Sequence, residues 1–196
     1  EAYAIRVERL SLLQDTRQGF KVYSQYKSRT NGAYKGGEAM IPFPDKQYNI
    51  IYADPPWSYR VWSAKGGHKS ASAHYDTMSI EDIKSLPVSS ISAPDSILFL
   101  WVTYPNLIEG LDTIKAWGFT YKTCGFTWLK TYKSGKPVCG LGYWTRANAE
   151  LCLLATKGKP KRVSKGVYQA VVSRQREHSR KPDCVKRRIV ELMGDL

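Results

Sequence analysis

Metal-ligand spacing is missing from this sequence. Its four cysteines, Cys124, Cys139, Cys152 and Cys184, are scattered singly, and its only histidines are His68, His74 and His178. A structural or catalytic zinc draws on closely spaced ligand pairs, so no metal is expected, and four unpaired thiols suit an intracellular, reduced protein. No apolar run approaches the roughly 20 residues of a spanning helix, and no secretory signal pattern opens the chain, so no membrane partner is expected. Acidic residues are scarce: 17 Asp and Glu stand against 30 Lys and Arg, a formal charge of +13. That balance says little about fold but points to an anionic partner, nucleic acid before a membrane surface. The excess is concentrated, with twelve basic residues and only Glu177 and Asp183 opposing them between Lys157 and Arg188.

What is present is enough apolar sequence for one domain with a substantial core in 196 residues. Glu1 to about Lys27 reads as one or two short helices, and the Gly- and Pro-rich stretch Asn31–Asp45 as a loop, giving an extension over 1–47 packed on a main domain over 48–196. Tyr48–Ala53 reads as a short buried strand, followed by a long polar loop over Ser58–Thr77 of the length usually kept for function. Ser79, with Asp82 three residues on, predicts a capped helix start. Ile97–Val102 predicts a buried strand. Pro105, the spacing of Leu107, Leu111, Ile114 and Trp117, and Gly118 predict a helix with its C-terminal cap. Strands are expected at Phe119–Leu129, Glu150–Thr156 and Tyr168–Val172, with a glycine-rich loop over Lys130–Gly142. Pro182 opens a last helix with Val185, Ile189 and Leu192 or Met193 inward. Strands alternating with helices and then running together predict a three-layer α/β sandwich whose sheet is mixed but mostly parallel.

The most informative residues are Asp54-Pro55-Pro56-Trp57, just past the end of the first of those strands. In open α/β sheets, ligands bind beyond the carboxyl ends of strands. Two successive prolines fix their own φ, supply no N–H, and bias the preceding residues toward extended backbone. The expected result is a stiff rim with unpaired carbonyl oxygens, one carboxylate and a flat aromatic. Such a rim could accept two hydrogen bonds from an amino group and stack the ring that carries it.

Taken with its flanks, the chain resembles the adenine methyltransferases related to the catalytic subunit of the messenger-RNA adenosine methyltransferase, a family with bacterial and phage relatives. The matching pieces run in order: Ala53-Asp54-Pro55-Pro56-Trp57, His74-Tyr75-Asp76-Thr77-Met78-Ser79, Leu98-Phe99-Leu100-Trp101-Val102-Thr103, Ala116-Trp117-Gly118-Phe119, Gly142-Tyr143-Trp144, Glu150, Lys157-Gly158-Lys159-Pro160, and His178-Ser179-Arg180-Lys181-Pro182-Asp183. They cover roughly Tyr48 to Met193.

The resemblance implies a Rossmann-like methyltransferase fold, S-adenosylmethionine as cofactor, and transfer of its methyl group to the exocyclic amino group of adenine. Asp54, Pro55, Pro56 and Trp57 are then the catalytic residues, with Trp57 stacked on the base. Ala53, Asp54, Ser179, Lys181 and Pro182 are the expected cofactor contacts, with Lys181 or the helix start behind it holding the cofactor's carboxylate. Tyr59, Arg60, Lys65, His68 and Lys69 in the first long loop, and Tyr143, Trp144, Arg146 and Glu150 in or behind the second, are the expected substrate contacts, since aromatic and basic residues on loops suit a flipped or single-stranded base. DNA is the favoured polymer; RNA is the first alternative, and a non-catalytic nucleic-acid-binding partner subunit the second. The family pattern continues past the last helix into a strand and closing segment that build part of the adenosine pocket, and the resemblance leads to the expectation that these are absent here. It also implies a homodimer or a heterodimer with a related subunit. The compartment implied is the cytoplasm of a bacterium or phage host, or the nucleus if the source is eukaryotic.

Overall fold

The computed structural model describes residues 2–6, 20–24, 45–58, 77–140, 142–176 and 180–194. Seven strands form one sheet: β1 (Ala2–Arg6), β2 (Phe20–Ser24), β3 (Tyr48–Asp54), β4 (Ser92–Val102), β5 (Thr120–Thr131), β6 (Ala149–Lys157) and β7 (Ala170–Arg174). Their spatial order is β2-β1-β3-β4-β6-β5-β7. All neighbours are parallel except those of β6, which runs antiparallel between β4 and β5. The helices are α1 (Ile80–Ser85), α2 (Leu107–Ala116) and α3 (Asp183–Met193).

The central strands are apolar on both faces because helices cover both. Ile51, Ala53, Leu98, Leu100, Val102, Leu153 and Ala155 point to the face packed with Ile83, Ile114 and Trp117, that is, toward α1 and α2. Ile50, Tyr52, Phe99, Trp101, Phe126, Trp128 and Cys152 point to the other face, where Val185, Ile189 and Met193 of α3 seal it. The period-2 alternation of β3 and β4 thus sorts one continuous apolar run into two cores. Trp101, Trp117 and Trp128 are buried within these cores, as their strand and helix patterns predict.

The capping signals act as expected. Ser79 Oγ accepts the Asp82 N–H at 3.0 Å, and Gly118, at φ 80°, lets the chain leave α2 while Phe119 N–H reaches back to the Ile114 carbonyl. One expectation fails. Within Glu1–Lys27, where helices are expected, Ala2–Arg6 and Phe20–Ser24 are strands, and β1 pairs in register with β3 from Ala2↔Ile50 to Arg6↔Asp54. Ala-Tyr-Ala-Ile and Phe-Lys-Val-Tyr are short runs whose type is decided by the sheet they join. The expected strand Tyr168–Val172 is displaced to Ala170–Arg174, set by pairing with Thr127–Thr131.

The topology fixes where a site can lie. From β1 the chain moves outward to β2, then crosses back to β3 and onward to β4. The strand order therefore reverses between β1 and β3, and Asp54 closes the carboxyl end of β3 at that reversal. Ligands of open α/β sheets bind at such a point.

Candidate active site

The turn after β3 is pinned by four hydrogen bonds. The Trp57 N–H donates to the Pro55 carbonyl at 2.9 Å, and the Met78 N–H to the Pro56 carbonyl at 3.0 Å. Trp57 Nε1 donates to the Trp101 carbonyl at 2.8 Å, and Asn106 Nδ2 to the Ser58 carbonyl at 2.9 Å. Asn106 is itself oriented by Thr103 Oγ1, 2.9 Å from its Oδ1. The rim is stiff, as two prolines require, but two corrections follow. Its carbonyls are not unpaired: each accepts one N–H, leaving a second lone pair. Trp57 presents no open stacking face either, since its side chain is in the core and only 4% exposed. A Trp next to a buried strand end gains more from core packing than from solvent.

Asp54 shares the face of Ile50 and Tyr52, so its carboxylate points toward the α3 side, where it is almost wholly buried. It is compensated there. Lys181 Nζ lies 2.9 Å from Asp54 Oδ1 and 3.2 Å from Glu150 Oε2. The other oxygen of Glu150, Oε1, is hydrogen-bonded and ion-paired to Lys130 Nζ. Four alternating charges, Asp54, Lys181, Glu150 and Lys130, thus form one chain with no net charge, drawn from β3, the segment before α3, β6 and β5. Aromatic faces complete it: Lys181 Nζ sits 5.6 Å from the Trp101 ring centre and Lys130 Nζ 5.1 Å from that of Trp128. The two indoles meet edge to face, and Trp101 Nε1 donates to the Tyr52 hydroxyl at 2.7 Å.

The electrostatics follow from this arrangement. Burial by itself would raise the Glu150 carboxyl, but the ammonium groups of Lys181 and Lys130 outweigh it and hold the group at about 2. Burial would likewise lower Lys181, and the attraction of Asp54 and Glu150 reverses that, holding its pKa above the ordinary value. Burial pushes the Cys152 thiol, just behind the chain, well up. Asp183 is lowered, first by a hydrogen bond from Arg176, whose Nη1 is 2.8 Å from Oδ2, and further by Arg180 at 3.7 Å.

The sequence-predicted residues divide. Asp54, Lys181 and Glu150 come together. Lys181 was expected to face a cofactor carboxylate; its ammonium instead points into the floor of the site, toward the two carboxylates and the Trp101 ring. Glu150 was expected among the substrate contacts, and its carboxylate turns toward the two lysines. Pro182 is buried at the start of α3 and makes no side-chain cap. Tyr143, Trp144 and Arg146 are exposed on the loop before β6, Trp144 to 92%, at φ 69°. That loop is closed by the Gly140 N–H to the Ala147 carbonyl, and its end is joined to β5 by the Lys130 N–H to the Asn148 carbonyl. It therefore rises from the same edge of the sheet as Glu150. Tyr59, Arg60, Lys65, His68, Lys69 and Ser179 lie outside the described residues.

Lys130, Met78 and Asn106 were missed. Lys130 had a readable signal: it continues the inward face of Phe126 and Trp128 at period 2, and a lysine at the mouth of a buried face needs a carboxylate. The basic run is also dispersed by the topology. Strand β6 carries the chain from Glu150 to Lys157, about 23 Å at the usual strand rise. Lys159, whose N–H meets Asp95 Oδ1, and Val163, whose N–H meets the Leu192 carbonyl at the far end of α3, mark the opposite edge. Only the later part of the run returns to the site. Among the described residues, no group of three or more His, Cys, Asp or Glu could hold a metal ion, and no helix is long and apolar enough to cross a membrane.

Comparison with known proteins gives a consistent result. The sequence model of the MT-A70 family matches residues 48–195. The type II methyltransferase M.MunI of a Mycoplasma species is 32% identical over 183 residues, covering 85% of this chain and 76% of that protein. The N(6)-adenosine-methyltransferase MT-A70-like protein of Drosophila melanogaster is 29% identical over 140 residues, covering 70% of this chain and 21% of that protein. The human N(6)-adenosine-methyltransferase catalytic subunit METTL3 is 26% identical over 140 residues, again 70% of this chain and 22% of that protein.

Proposed function

Since the chain belongs to the MT-A70 family and is an adenine methyltransferase, we propose that it methylates the 6-amino group of adenine in nucleic acid, with S-adenosylmethionine as donor and DNA as the favoured polymer. The observation that carries this reading is the Asp54 carboxylate, buried at the end of β3 at the reversal of strand order and fixed by Lys181.

The 6-amino nitrogen of adenine is a poor nucleophile because its lone pair is delocalised into the ring. Asp54 accepts one of its hydrogens, and the second lone pair of the Pro55 carbonyl accepts the other. Both acceptors are held in place before substrate arrives, so they localise the lone pair and stabilise the charge that develops on nitrogen. S-adenosylmethionine, when bound, supplies an electrophilic methyl group on a sulfonium sulfur. As the nitrogen–carbon bond forms and the carbon–sulfur bond breaks, its electron pair leaving on a neutral thioether, Asp54 takes the proton that the amino group sheds and passes it to water. Lys181 keeps Asp54 ionised until then. Trp57 anchors the turn from the core rather than stacking on the base, and the remaining barrier is alignment of the reacting atoms.

The residues present suit that donor. The four charges of Asp54, Lys181, Glu150 and Lys130 sum to zero, so this network does not repel a cationic sulfonium. Lys181 is committed to Asp54 and Glu150, which leaves the N–H groups at the start of α3, where the N-cap Pro182 supplies no side-chain cap, to receive the donor's carboxylate. Asp183 in that first turn is neutralised by Arg176 and Arg180. Pro182, which opens α3, lies beside those N–H groups on the proposed donor side.

DNA is favoured because the chain spans three quarters of the type II methyltransferase but about a fifth of the N(6)-adenosine-methyltransferases. Labelled methyl transfer to DNA and RNA oligonucleotides, with Asp54→Ala as control, tests the reading. N6-methyladenine in DNA is expected, with activity nearly abolished in the variant. Labelled cytosine, or full activity in Asp54→Ala, overturns it, and a preference for RNA overturns the choice of polymer.

A further inference from the structure

We infer that Lys130 is a positioning residue for Asp54, acting through Glu150 and Lys181, and that the opposition between Lys130 and Glu150 sets the pH at which the site becomes competent. The inference rests on the reading of Asp54 as the acceptor of the adenine amino group.

The geometry divides Glu150 between two cations. Oε2 meets Lys181 at 3.2 Å, and Oε1 meets Lys130. Glu150 is paired directly across the sheet with Trp128, and Lys130 follows two residues later on the same face. The Lys130 backbone is held on both sides, its N–H by the Asn148 carbonyl and its own carbonyl by the Val138 N–H. From that fixed backbone, the Lys130 ammonium draws Glu150 Oε1 to the side away from Lys181. Lys181 is therefore shared unequally, closer to Asp54 at 2.9 Å than to Glu150 at 3.2 Å.

Two consequences of opposite sign follow. Removing the charge of Lys130 leaves Glu150 competing more strongly with Asp54 for the Lys181 ammonium. Lys181 is drawn toward Glu150, the cluster becomes negative, and both effects make Asp54 easier to protonate. Removing the charge of Glu150 leaves Lys181 to Asp54 alone and takes away a like charge, and both effects make Asp54 harder to protonate. Among the described residues, ionisable groups on this face include Tyr52 on β3, Glu150 and Cys152 on β6, Lys181 before α3, Cys184 on α3, and Lys130 and Cys124 on β5; Arg6 of β1 pairs in register with Asp54, and β4 presents Trp101. Cys152 stays neutral, its thiol raised by burial, and the Tyr52 hydroxyl accepts from Trp101, so Lys181, Glu150 and Lys130 are the charged groups through which Asp54 is tuned in this proposal.

The test is the pH profile of kcat/KM for methyl transfer in Lys130→Met, Lys130→Arg, Glu150→Gln and the double variant Lys130→Met/Glu150→Gln. The acid limb is expected to rise by about one pH unit in Lys130→Met, fall in Glu150→Gln, and return toward wild type in Lys130→Arg and in the double variant. A readout free of turnover is the titration of the Asp54 carboxyl carbon by NMR with labelled aspartate, assigned with Asp54→Asn, which should move in the same two directions. Lower stability with an unmoved limb and an unmoved titration in both single variants overturns the inference, because a purely structural lysine gives that pattern. Loss of activity in Asp54→Ala together with unmoved limbs leaves the proposed reaction standing and removes only the role of Lys130. Full activity in Asp54→Ala removes the reaction itself.

Discussion

The Lys181 ammonium bridges Asp54 and Glu150, at 2.9 and 3.2 Å, so the motif carboxylate at the end of β3 and the first carboxylate of β6 share one cation. Breaking one member of a buried ion pair leaves an uncompensated charge, and Lys181→Met should lower stability by about 3–5 kcal/mol in urea unfolding. The pairing itself is measured by a double-mutant cycle of Lys181→Met with Asp54→Asn. A coupling above about 1 kcal/mol is expected, since groups sharing one ion network are non-additive. Additive losses would mean that Lys181 stabilises the fold without regard to Asp54.

Glu150 predicts how the fold responds to acid. Its carboxyl is held at about 2, below the ordinary value of 4.5. A depressed carboxyl contributes stability that is complete above the unfolded value and is lost as pH falls through the folded one. The loss therefore lies between pH 4.5 and about 2 and is on the order of 3 kcal/mol. Glu150→Gln should be less stable than wild type at pH 7, with the two curves converging as pH falls through that window. Parallel curves from pH 7 to pH 3 in chemical denaturation would contradict it.

Gly158 marks the opposite edge of the sheet. It has φ 63°, and a side chain there would run into the Pro94 carbonyl oxygen and the Asp95 carboxylate. Gly158→Ala adds left-handed backbone strain to steric overlap, so a loss of about 2–4 kcal/mol is expected, read as a lower urea midpoint at unchanged slope. Because this edge lies a full strand length from Asp54, kcat/KM of the folded fraction should stay within twofold of wild type.

Much of this architecture is legible in the sequence because local signals and burial agree there. Ser79, Pro105, Gly118 and Pro182 mark helix ends by backbone chemistry, and β3 and β4 are apolar on both faces because helices cover both. The N-terminal strands were not legible: five-residue runs such as Ala2–Arg6 carry no periodicity of their own, and pairing with β3 decides their type. The Asp-Pro-Pro-Trp motif located the site, yet the fate of its parts depended on distant partners. Trp57 was read as a stacking ring, and the carbonyl of Trp101, 44 residues away, holds it in the core. Lys181 was read as facing a cofactor, and Glu150 turns it inward. The inward position of Lys130 is readable from its period, but which carboxylate meets it is not: the partners on β6 and before α3 are brought together only by the fold.

Trp144 combines two features that rarely coincide. It is an aromatic residue at φ 69°, and its side chain is 92% exposed. Left-handed backbone costs a bulky residue on the order of 1–3 kcal/mol, and such strain persists where function retains it. No burial of the indole offsets the cost, although Tyr143 meets it edge to face with ring centres 6.2 Å apart. Asparagine tolerates this backbone region far better. Trp144→Asn should therefore match or exceed wild-type stability, by up to about 1 kcal/mol in thermal or urea unfolding. If the ring stacks on a substrate base, the same variant should weaken oligonucleotide binding by about 1–3 kcal/mol in fluorescence titration. Stacking involves few phosphates, so the slope of log affinity against log salt should stay as in wild type. A variant that is more stable and binds as tightly would separate the strain from substrate recognition, and one that loses stability would show that the loop depends on the indole for its own fold.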